Sequence, residues 1–235
     1  MIYTIVRAII RLLLPTQMRL RVSGAARCPD QGPLILVANH LGPLDPIVAA
    51  ALVRRRVHIL AKAEIVEWPV LGGIARRCGV VPVRRGASDR EALRALLSVL
   101  RAGGCVLLMP EGTFPKAPLP AAMLRARPGA AFLAAHSGAL VLPVAVTGTE
   151  RVWWPERGWR FGQRPRVTIT YGAPYLPAMA AASGAKASFE RVADDMGQRI
   201  AALLPAAYRG YYGDDGALGA GLADEQRVGQ HADLE

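Results

Sequence analysis

Runs of consecutive apolar residues, separated by segments with helical signals, constrain the fold of this chain more than any other feature. Strands that are apolar at nearly every position are typical of a parallel sheet covered by helices on both faces. We therefore predict a single α/β domain, with a largely parallel or mixed sheet flanked by helices. The predicted strands are 33–38, 79–83, 105–109, 140–146 and 166–171, the last of them an edge or half-exposed strand. The predicted helices are 45–56, 68–78, 88–101, 128–137 and 188–204.

The length and charge of the chain suggest three parts. A chain of 235 residues is long enough for one domain with a substantial core. Residues 213–235 are rich in glycine and acidic side chains and carry a net charge of −5, so the remainder carries +16. We predict an interfacial helix at 1–16, a domain at 17–212 and a disordered acidic tail at 213–235.

The first residues indicate contact with a membrane. Residues 2–14 are strongly apolar, and Thr4, Arg7 and Arg11 form one narrow polar stripe on a helix. The stretch is too short and too charged to cross a bilayer, and it lacks the cleavage site of a signal peptide. An apolar helix with a basic stripe suits the surface of an anionic membrane. A terminal helix packed on the domain is the alternative, and both can be true of different faces.

Polar clusters follow four of the predicted strands. They are Asn39-His40, Arg84-Arg85, Glu111-Gly112-Thr113 and Thr147-Gly148-Thr149. Ligands of open α/β sheets bind in the crevice outside the carboxyl ends of the strands. We therefore predict that these separate clusters converge on one site.

His40 lies five residues before Asp45, and Gly42-Pro43 between them favours a turn. A carboxylate on one ring nitrogen would fix the tautomer and leave the other nitrogen free to accept a proton. The same spacing also fits Asp45 as the N-cap of the next helix, with Pro46 at the first helical position and His40 filling a loop. Spacing alone leaves both interpretations open, and they are compatible.

The other candidate residues point to a bound substrate. No serine or cysteine stands in any of the four clusters, so a base at His40 is expected to activate a substrate hydroxyl. Glu111 and Thr113 suit a polyol, although Pro-Glu-Gly also forms ordinary turns. Arg84 and Arg85 suit a phosphate, although arginine at a strand end is often only solvated. Dinucleotide and P-loop fingerprints and metal-ligand clusters are absent from the sequence, so we expect no metal.

Four blocks then occur in a recognisable order. They are NHLGPLD at 39–45, the stretch 62–84 with Glu64, Pro69, Gly72, Gly79 and Arg84, MPEGT at 109–113, and VLPV at 141–144. Together they resemble the glycerolipid acyltransferase family, with its NHxxxxD and FPEGTR signatures. The bacterial members of that family include 1-acyl-sn-glycerol-3-phosphate (lysophosphatidic acid) acyltransferases. The resemblance spans about residues 17–175.

The resemblance implies a role for each block. His40 would be the general base on the acceptor hydroxyl, and Asp45 would hold it. The substrate-binding residues that it implies are Arg84 for the acceptor's phosphate and Glu111, Gly112 and Thr113 for its glycerol. Acyl-CoA or acyl-carrier protein would be the donor, without a cofactor, a metal or an acyl-enzyme intermediate.

One position departs from the family. Phe114 stands where the family usually has arginine after Glu-Gly-Thr, and Pro115-Lys116 follows. Lys116 and Arg85 are further candidates for phosphate contacts, although lysine lacks the bidentate fork of arginine. The expected acceptor is 1-acylglycerol-3-phosphate, giving phosphatidic acid in phospholipid biosynthesis, and another lyso-lipid such as lyso-ornithine lipid is the alternative.

These expectations extend to location and partners. We expect a peripheral or monotopic enzyme of lipid metabolism on the cytoplasmic face of the cell membrane. Its partners would be a lysophospholipid, an acyl thioester, the anionic membrane surface and, in one version, acyl-carrier protein, but not nucleic acid. A non-catalytic basic module that binds membrane or nucleic acid is the remote alternative, because charge explains none of the strand-end clusters.

Overall fold

The computed structural model describes residues 2–83, 89–115, 122–154, 158–159, 164–178 and 185–213. Arg84, Arg85 and Lys116, with their predicted phosphate contacts, lie outside the described residues. So does the predicted acidic tail beyond Gly213.

Seven helices and nine strands lie in this described part of the chain. The helices are α1 (Ile2–Gln17), α2 (Asp45–Ala51), α3 (Ala63–Glu67), α4 (Leu71–Cys78), α5 (Asp89–Arg101), α6 (Gly129–Ser137) and α7 (Ala185–Ala201). The strands are β1 (Arg19–Ser23), β2 (Leu34–Ala38), β3 (Val57–Lys62), β4 (Val80–Val83), β5 (Cys105–Leu108), β6 (Leu140–Thr147), β7 (Trp153–Trp154), β8 (Gly158–Trp159) and β9 (Arg166–Tyr171).

The strands form one seven-stranded sheet in the order β1-β9-β6-β2-β5-β3-β4, and β7 and β8 form a separate antiparallel pair. Neighbouring strands of the large sheet run parallel, except for the antiparallel pair β6–β9. The predicted α/β fold with a largely parallel or mixed sheet is therefore confirmed. Strand β9 was predicted as an edge or half-exposed strand. It is half-exposed, with buried and less buried residues in alternation, and β1 pairs beyond it and takes the edge.

The central strand β2 is buried at every residue because both faces of the sheet are covered. Ile35 and Val37 pack into one core with side chains of α5, α6 and α7. Leu34, Leu36 and Ala38 pack into a second core on the opposite face, with side chains of α1 and α2. Two cores on alternating side chains explain why the sequence of this strand is apolar throughout rather than at every second position.

Helix α1 packs on the domain through one face and exposes the other. The Tyr3 hydroxyl donates to the carbonyl of Arg55 and accepts the N–H of Val57, each at 3.1 Å. Arg7 donates to the carbonyls of Val53 and Arg54, just after α2. The alternative of a terminal helix packed on the domain therefore holds for this face, since the guanidinium of Arg7 satisfies backbone carbonyls of the domain.

The opposite face of α1 is apolar and exposed, through Ile5, Ile9, Leu12 and Leu13. The helix ends at Gln17, one residue beyond the predicted interfacial segment. None of the helices in the described ranges combines the length and the apolar character that crossing a membrane requires.

Candidate active site

The side chain of Asn39 fixes the backbone at the point where β2 ends. Its amide nitrogen donates to the carbonyl of Val146 at 2.9 Å, and its amide oxygen accepts the N–H of Val146 at 2.8 Å. The pairing of β2 with β6 ends at Ala38 and Val144, so this buried amide continues the ladder by one step. His40 therefore projects from a backbone that is held on both sides. No role for Asn39 was predicted from the sequence.

His40 and Asp45 form the predicted pair. Nδ1 of His40 lies 3.1 Å from Oδ2 of Asp45, whose side chain is fully buried, whereas the imidazole is 16% exposed. A carboxylate can only accept, so the hydrogen bond places the proton on Nδ1. Nε2 is then an acceptor, and within the described ranges no hydrogen-bond partner occupies it. This is the arrangement that a general base requires.

Three further donors hold the Asp45 carboxylate. The N–H groups of Leu41 and Gly42 donate to Oδ2 at 2.5 and 2.7 Å, and the hydroxyl of Thr149 donates to Oδ1. The predicted N-cap position is off by one residue: Leu44 is the N-cap, and Asp45 is the first residue of α2. Its carboxylate turns back onto the loop that carries His40 and makes no cap. Donors on both oxygens stabilise the ionised carboxylate in one orientation.

Thr149 reaches Asp45 because of the turn that follows β6. Gly148 has a φ of +89°, and a Cβ there would lie 2.1 Å from the carbonyl oxygen of Arg166. Glycine is required at such a position because it allows positive φ and close backbone approach. The sequence singled out Thr147-Gly148-Thr149 as a strand-end cluster but assigned it no role. Its position just after an apolar strand was the signal that the sequence offered.

Glu111, after β5, braces two loops from a buried position. Its Oε1 accepts the N–H of His40 at 2.7 Å, and its Oε2 accepts the N–H of Leu124 at 2.6 Å. Burial raises the pKa of this carboxyl to about 8, although the two N–H donors act in the opposite direction. The side chain is 1% exposed, so the structure gives it a positioning role behind His40. The contact with an acceptor's glycerol stays a prediction.

The loop after Glu111 places an aromatic ring against the base. The rings of Phe114 and His40 meet edge to face, with centroids 5.0 Å apart and an interplanar angle of 78°. Gly112, at a φ of +71°, allows this tight turn, and Thr113 is half-buried within it. The ring that replaces the family's arginine therefore packs on the imidazole and restricts its rotation.

The predicted convergence of strand ends is confirmed for three clusters. Strands β5 and β6 flank β2, so His40, Glu111 and Thr149 meet at one edge of the sheet. Strand β4, which ends just before Arg84, lies three strands from β2, or about 14 Å at the usual strand spacing. In the described part of the chain no serine or cysteine is hydrogen-bonded to His40. The geometry therefore suits removal of a proton from a bound hydroxyl.

Comparison with known proteins identifies relatives of this chain. Relatives include a lyso-ornithine lipid O-acyltransferase of Pseudomonas aeruginosa, 36% identical over 44% of this chain and 38% of that protein. A chloroplastic 1-acyl-sn-glycerol-3-phosphate acyltransferase of Arabidopsis thaliana is 27% identical over 57% of this chain and 37% of that protein. The chain therefore matches under two-fifths of the length of these two relatives.

The fold has a solved counterpart. The 1-acyl-sn-glycerophosphate (LPA) acyltransferase PlsC of Thermotoga maritima superposes with a TM-score of 0.65, over 82% of this chain and 77% of that one. At 23% identity this likeness concerns the fold. The family model for acyltransferases matches residues 19–147, which include β2, β5 and β6 and the loops that carry His40, Asp45 and Glu111. The chain therefore belongs to the acyltransferase family.

Proposed function

We propose that this protein transfers an acyl group from a thioester to the free hydroxyl of a lyso-lipid, with His40 as the general base. One observation carries the proposal. The Asp45 carboxylate fixes the proton on Nδ1 of His40, and Nε2 at the sheet edge is left to accept another. A solvated histidine would not need a fully buried carboxylate held by three other donors.

The proposed reaction proceeds through one tetrahedral intermediate. Nε2 of His40 takes the proton of the acceptor hydroxyl as its oxygen attacks the carbonyl carbon of the thioester. The intermediate then collapses, the carbon–sulfur bond breaks, and the departing thiolate takes the proton from Nε2. The buried negative charge of Asp45 stabilises the imidazolium that forms between the two steps. This route uses no cofactor and no covalent acyl-enzyme.

Two acceptors are candidates. The first is 1-acylglycerol-3-phosphate, which the sequence blocks and the Arabidopsis relative support. The second is a lyso-ornithine lipid, which Phe114 favours. The neutral ring of Phe114 lies beside His40, where an arginine would attract a phosphate. The Pseudomonas relative has a name of this second kind.

We also propose that the protein lies on the membrane surface through an apolar face formed by two segments. The exposed side of α1 is one, and the exposed loop before α4 is the other, since α1 and α4 are in contact. This apolar face consists of Ile5, Ile9, Leu12, Leu13, Trp68, Val70 and Leu71. Large exposed apolar side chains grouped in this way are typical of interfacial contact. The free thiols of Cys28, Cys78 and Cys105 suit the reducing, cytoplasmic side.

A panel of acceptors tests the proposed function. Purified protein would receive labelled palmitoyl-CoA or palmitoyl-acyl-carrier protein, with 1-acylglycerol-3-phosphate, lyso-ornithine lipid or lysophosphatidylglycerol in mixed micelles. Acylation of one of these lyso-lipids, with release of free thiol in equal amount, is expected. Hydrolysis of the thioester without acylation of any acceptor would contradict the proposal. The ratio of rates with the first two acceptors decides between the candidates.

A further inference from the structure

A cavity of about 460 Å³ opens at the end of β6, beside the turn that leads to Thr149. Among the residues that the structure describes, four arginines line it: Arg19, Arg151, Arg164 and Arg166. Arg19 belongs to β1 and Arg166 to β9. Arg151 lies between β6 and β7, and Arg164 lies between β8 and β9. The sequence did not connect Arg19 with the other three, because it lies more than a hundred positions before them.

The register of the sheet brings the residues that line this cavity together. Arg19 is the partner of Arg166 in the parallel pair β1–β9, and Thr147 is the partner of Thr168 in the antiparallel pair β6–β9. Both threonines line the cavity, so hydroxyls stand beside the guanidinium groups. Gly148 completes the wall, because the close approach of its backbone to Arg166 leaves no room for a side chain.

Within the described part of the chain, few carboxylates compensate the positive charge of the cavity. Neighbouring like charges across a strand pair destabilise a sheet. Arg151 has Glu150 as a neighbour, whose Oε1 lies 3.7 Å away and accepts the hydroxyl of Tyr208. The side chain of Glu150 is fully buried. Burial raises the pKa of its carboxyl group, which favours the neutral form. Among the described residues, Arg19 and Arg166 form no ion pair with a carboxylate.

The position of the cavity relates it to the reaction. It lies on the β6 side of His40, whereas the predicted acceptor-phosphate residues follow β4 on the other side. The strands that form it are the first to third neighbours of β2, roughly 5–15 Å away at the usual spacing. Thr149, next to the cavity residue Gly148, donates to the carboxylate that holds His40. An anion bound here would therefore sit beside the reacting groups without occupying their place.

We propose that this arginine cavity binds the phosphate groups of a coenzyme A thioester, the acyl donor, an inference that rests on the proposed function. Coenzyme A carries a diphosphate and a ribose 3′-phosphate, and guanidinium groups bind phosphate oxygens in bidentate fashion. The flexible pantetheine arm joins these phosphates to the thioester, so the acyl carbon reaches His40 from the β6 side. A concave site of this volume suits a small molecule rather than the convex surface of a carrier protein.

Calorimetric titration of the full chain with coenzyme A tests this inference without turnover. The variant Arg19→Gln/Arg166→Gln removes two charges from the cavity. The variant Arg90→Gln/Arg94→Gln removes two exposed charges from α5 as a matched control. Loss of two charge-assisted contacts is expected to raise the Kd for coenzyme A by about tenfold or more. The control variant and His40→Ala should bind as the wild type does, and pantetheine, which lacks the phosphates, should bind the wild type and the cavity variant equally.

Other outcomes would overturn the inference. Equal affinity of wild type and cavity variant for coenzyme A would show that the phosphates bind elsewhere. Loss of binding to phosphatidylglycerol vesicles, with coenzyme A binding unchanged, would make the cavity a lipid contact. Loss of affinity for acyl-carrier protein alone would make it a protein-docking surface. If coenzyme A binding depends on the cavity but no lyso-lipid is acylated, the site stands and the proposed function fails.

Discussion

The partners of Asp45 make an exchange to asparagine informative. Its Oδ2 accepts from His40 and from two backbone N–H groups, while its Oδ1 accepts the hydroxyl of Thr149. An asparagine can place its oxygen at the Oδ2 position, because the Thr149 hydroxyl can rotate and accept from the amide NH₂ group. In Asp45→Asn the Nδ1 tautomer of His40 is thus expected to survive, and only the negative charge is lost.

The size of the effect follows from that geometry. A hydrogen bond to a charged group contributes roughly 1–2 kcal/mol more than a neutral one, which predicts a fall in kcat of about 5- to 30-fold. An exchange that imposes the wrong tautomer costs about 10⁴-fold in other His–Asp enzymes. KM should hardly change, because the side chain of Asp45 is fully buried away from any substrate.

Steady-state transfer rates would be measured for Asp45→Asn, Thr149→Val and the double variant, with melting temperatures as a check on folding. Thr149→Val removes the group that accepts the amide NH₂, so the double variant should lose more than the product of the single losses. Thr149→Ser, which keeps the hydroxyl, should behave as the wild type. A fall near 10⁴-fold in Asp45→Asn alone, or additive losses in the double variant, would refute this account of Thr149.

Three further predictions concern stability and location. Since the folded-state pKa of Glu111 is raised to about 8, the folded protein holds a proton that the unfolded chain releases near pH 4.5. The free energy of unfolding should therefore fall as the pH rises from about 4.5 to about 8. In Glu111→Gln this fall, measured by urea titration at several pH values, should be smaller. An unchanged pH dependence in the variant would contradict the prediction. Asn39→Ala leaves both backbone groups of Val146 unpaired and should lower the unfolding free energy by about 2–5 kcal/mol; a loss under 1 kcal/mol would be too small for the bonds described. Ile9→Ser/Leu12→Ser should weaken sedimentation with anionic vesicles at unchanged melting temperature, and undiminished binding would place the membrane contact elsewhere.

The sequence predicted the parts of the fold that are buried on both faces. Strands β2, β5 and β6 read as continuous apolar runs, because nearly all of their residues pack into one of the two cores. The edge strand β1 was not predicted, because Arg19 and Arg21 interrupt its apolar residues. At the edge of the sheet none of its residues is fully buried, so the sequence has no continuous apolar run there. Strand β3 was not predicted either, because His58 and Lys62 interrupt its apolar pattern.

The candidate site could be predicted in part. The spacing of His40 and Asp45 allowed their pairing but left the helix cap equally open, and the family resemblance favoured the pair. The direction of the Asp45 carboxylate could not be predicted. The spacing fits both a carboxylate that caps the following helix and one that accepts hydrogen bonds from the preceding loop. The contacts of Asn39 with Val146 and of Thr149 with Asp45 bridge more than a hundred residues. Only the strand order, with β6 next to β2, reveals them.

The exchange His40→Ala tests the central claim most directly. The imidazole makes one side-chain hydrogen bond within the described residues and is partly exposed, so the variant should fold with a near-normal melting temperature. His136→Ala removes an exposed histidine from α6 and is the matched control. Acyl transfer to the preferred lyso-lipid should fall by about 10²–10⁴-fold in His40→Ala and stay normal in His136→Ala. A folded His40→Ala variant that keeps more than about a tenth of the wild-type rate would contradict the claim that His40 is the base, because a general base contributes far more.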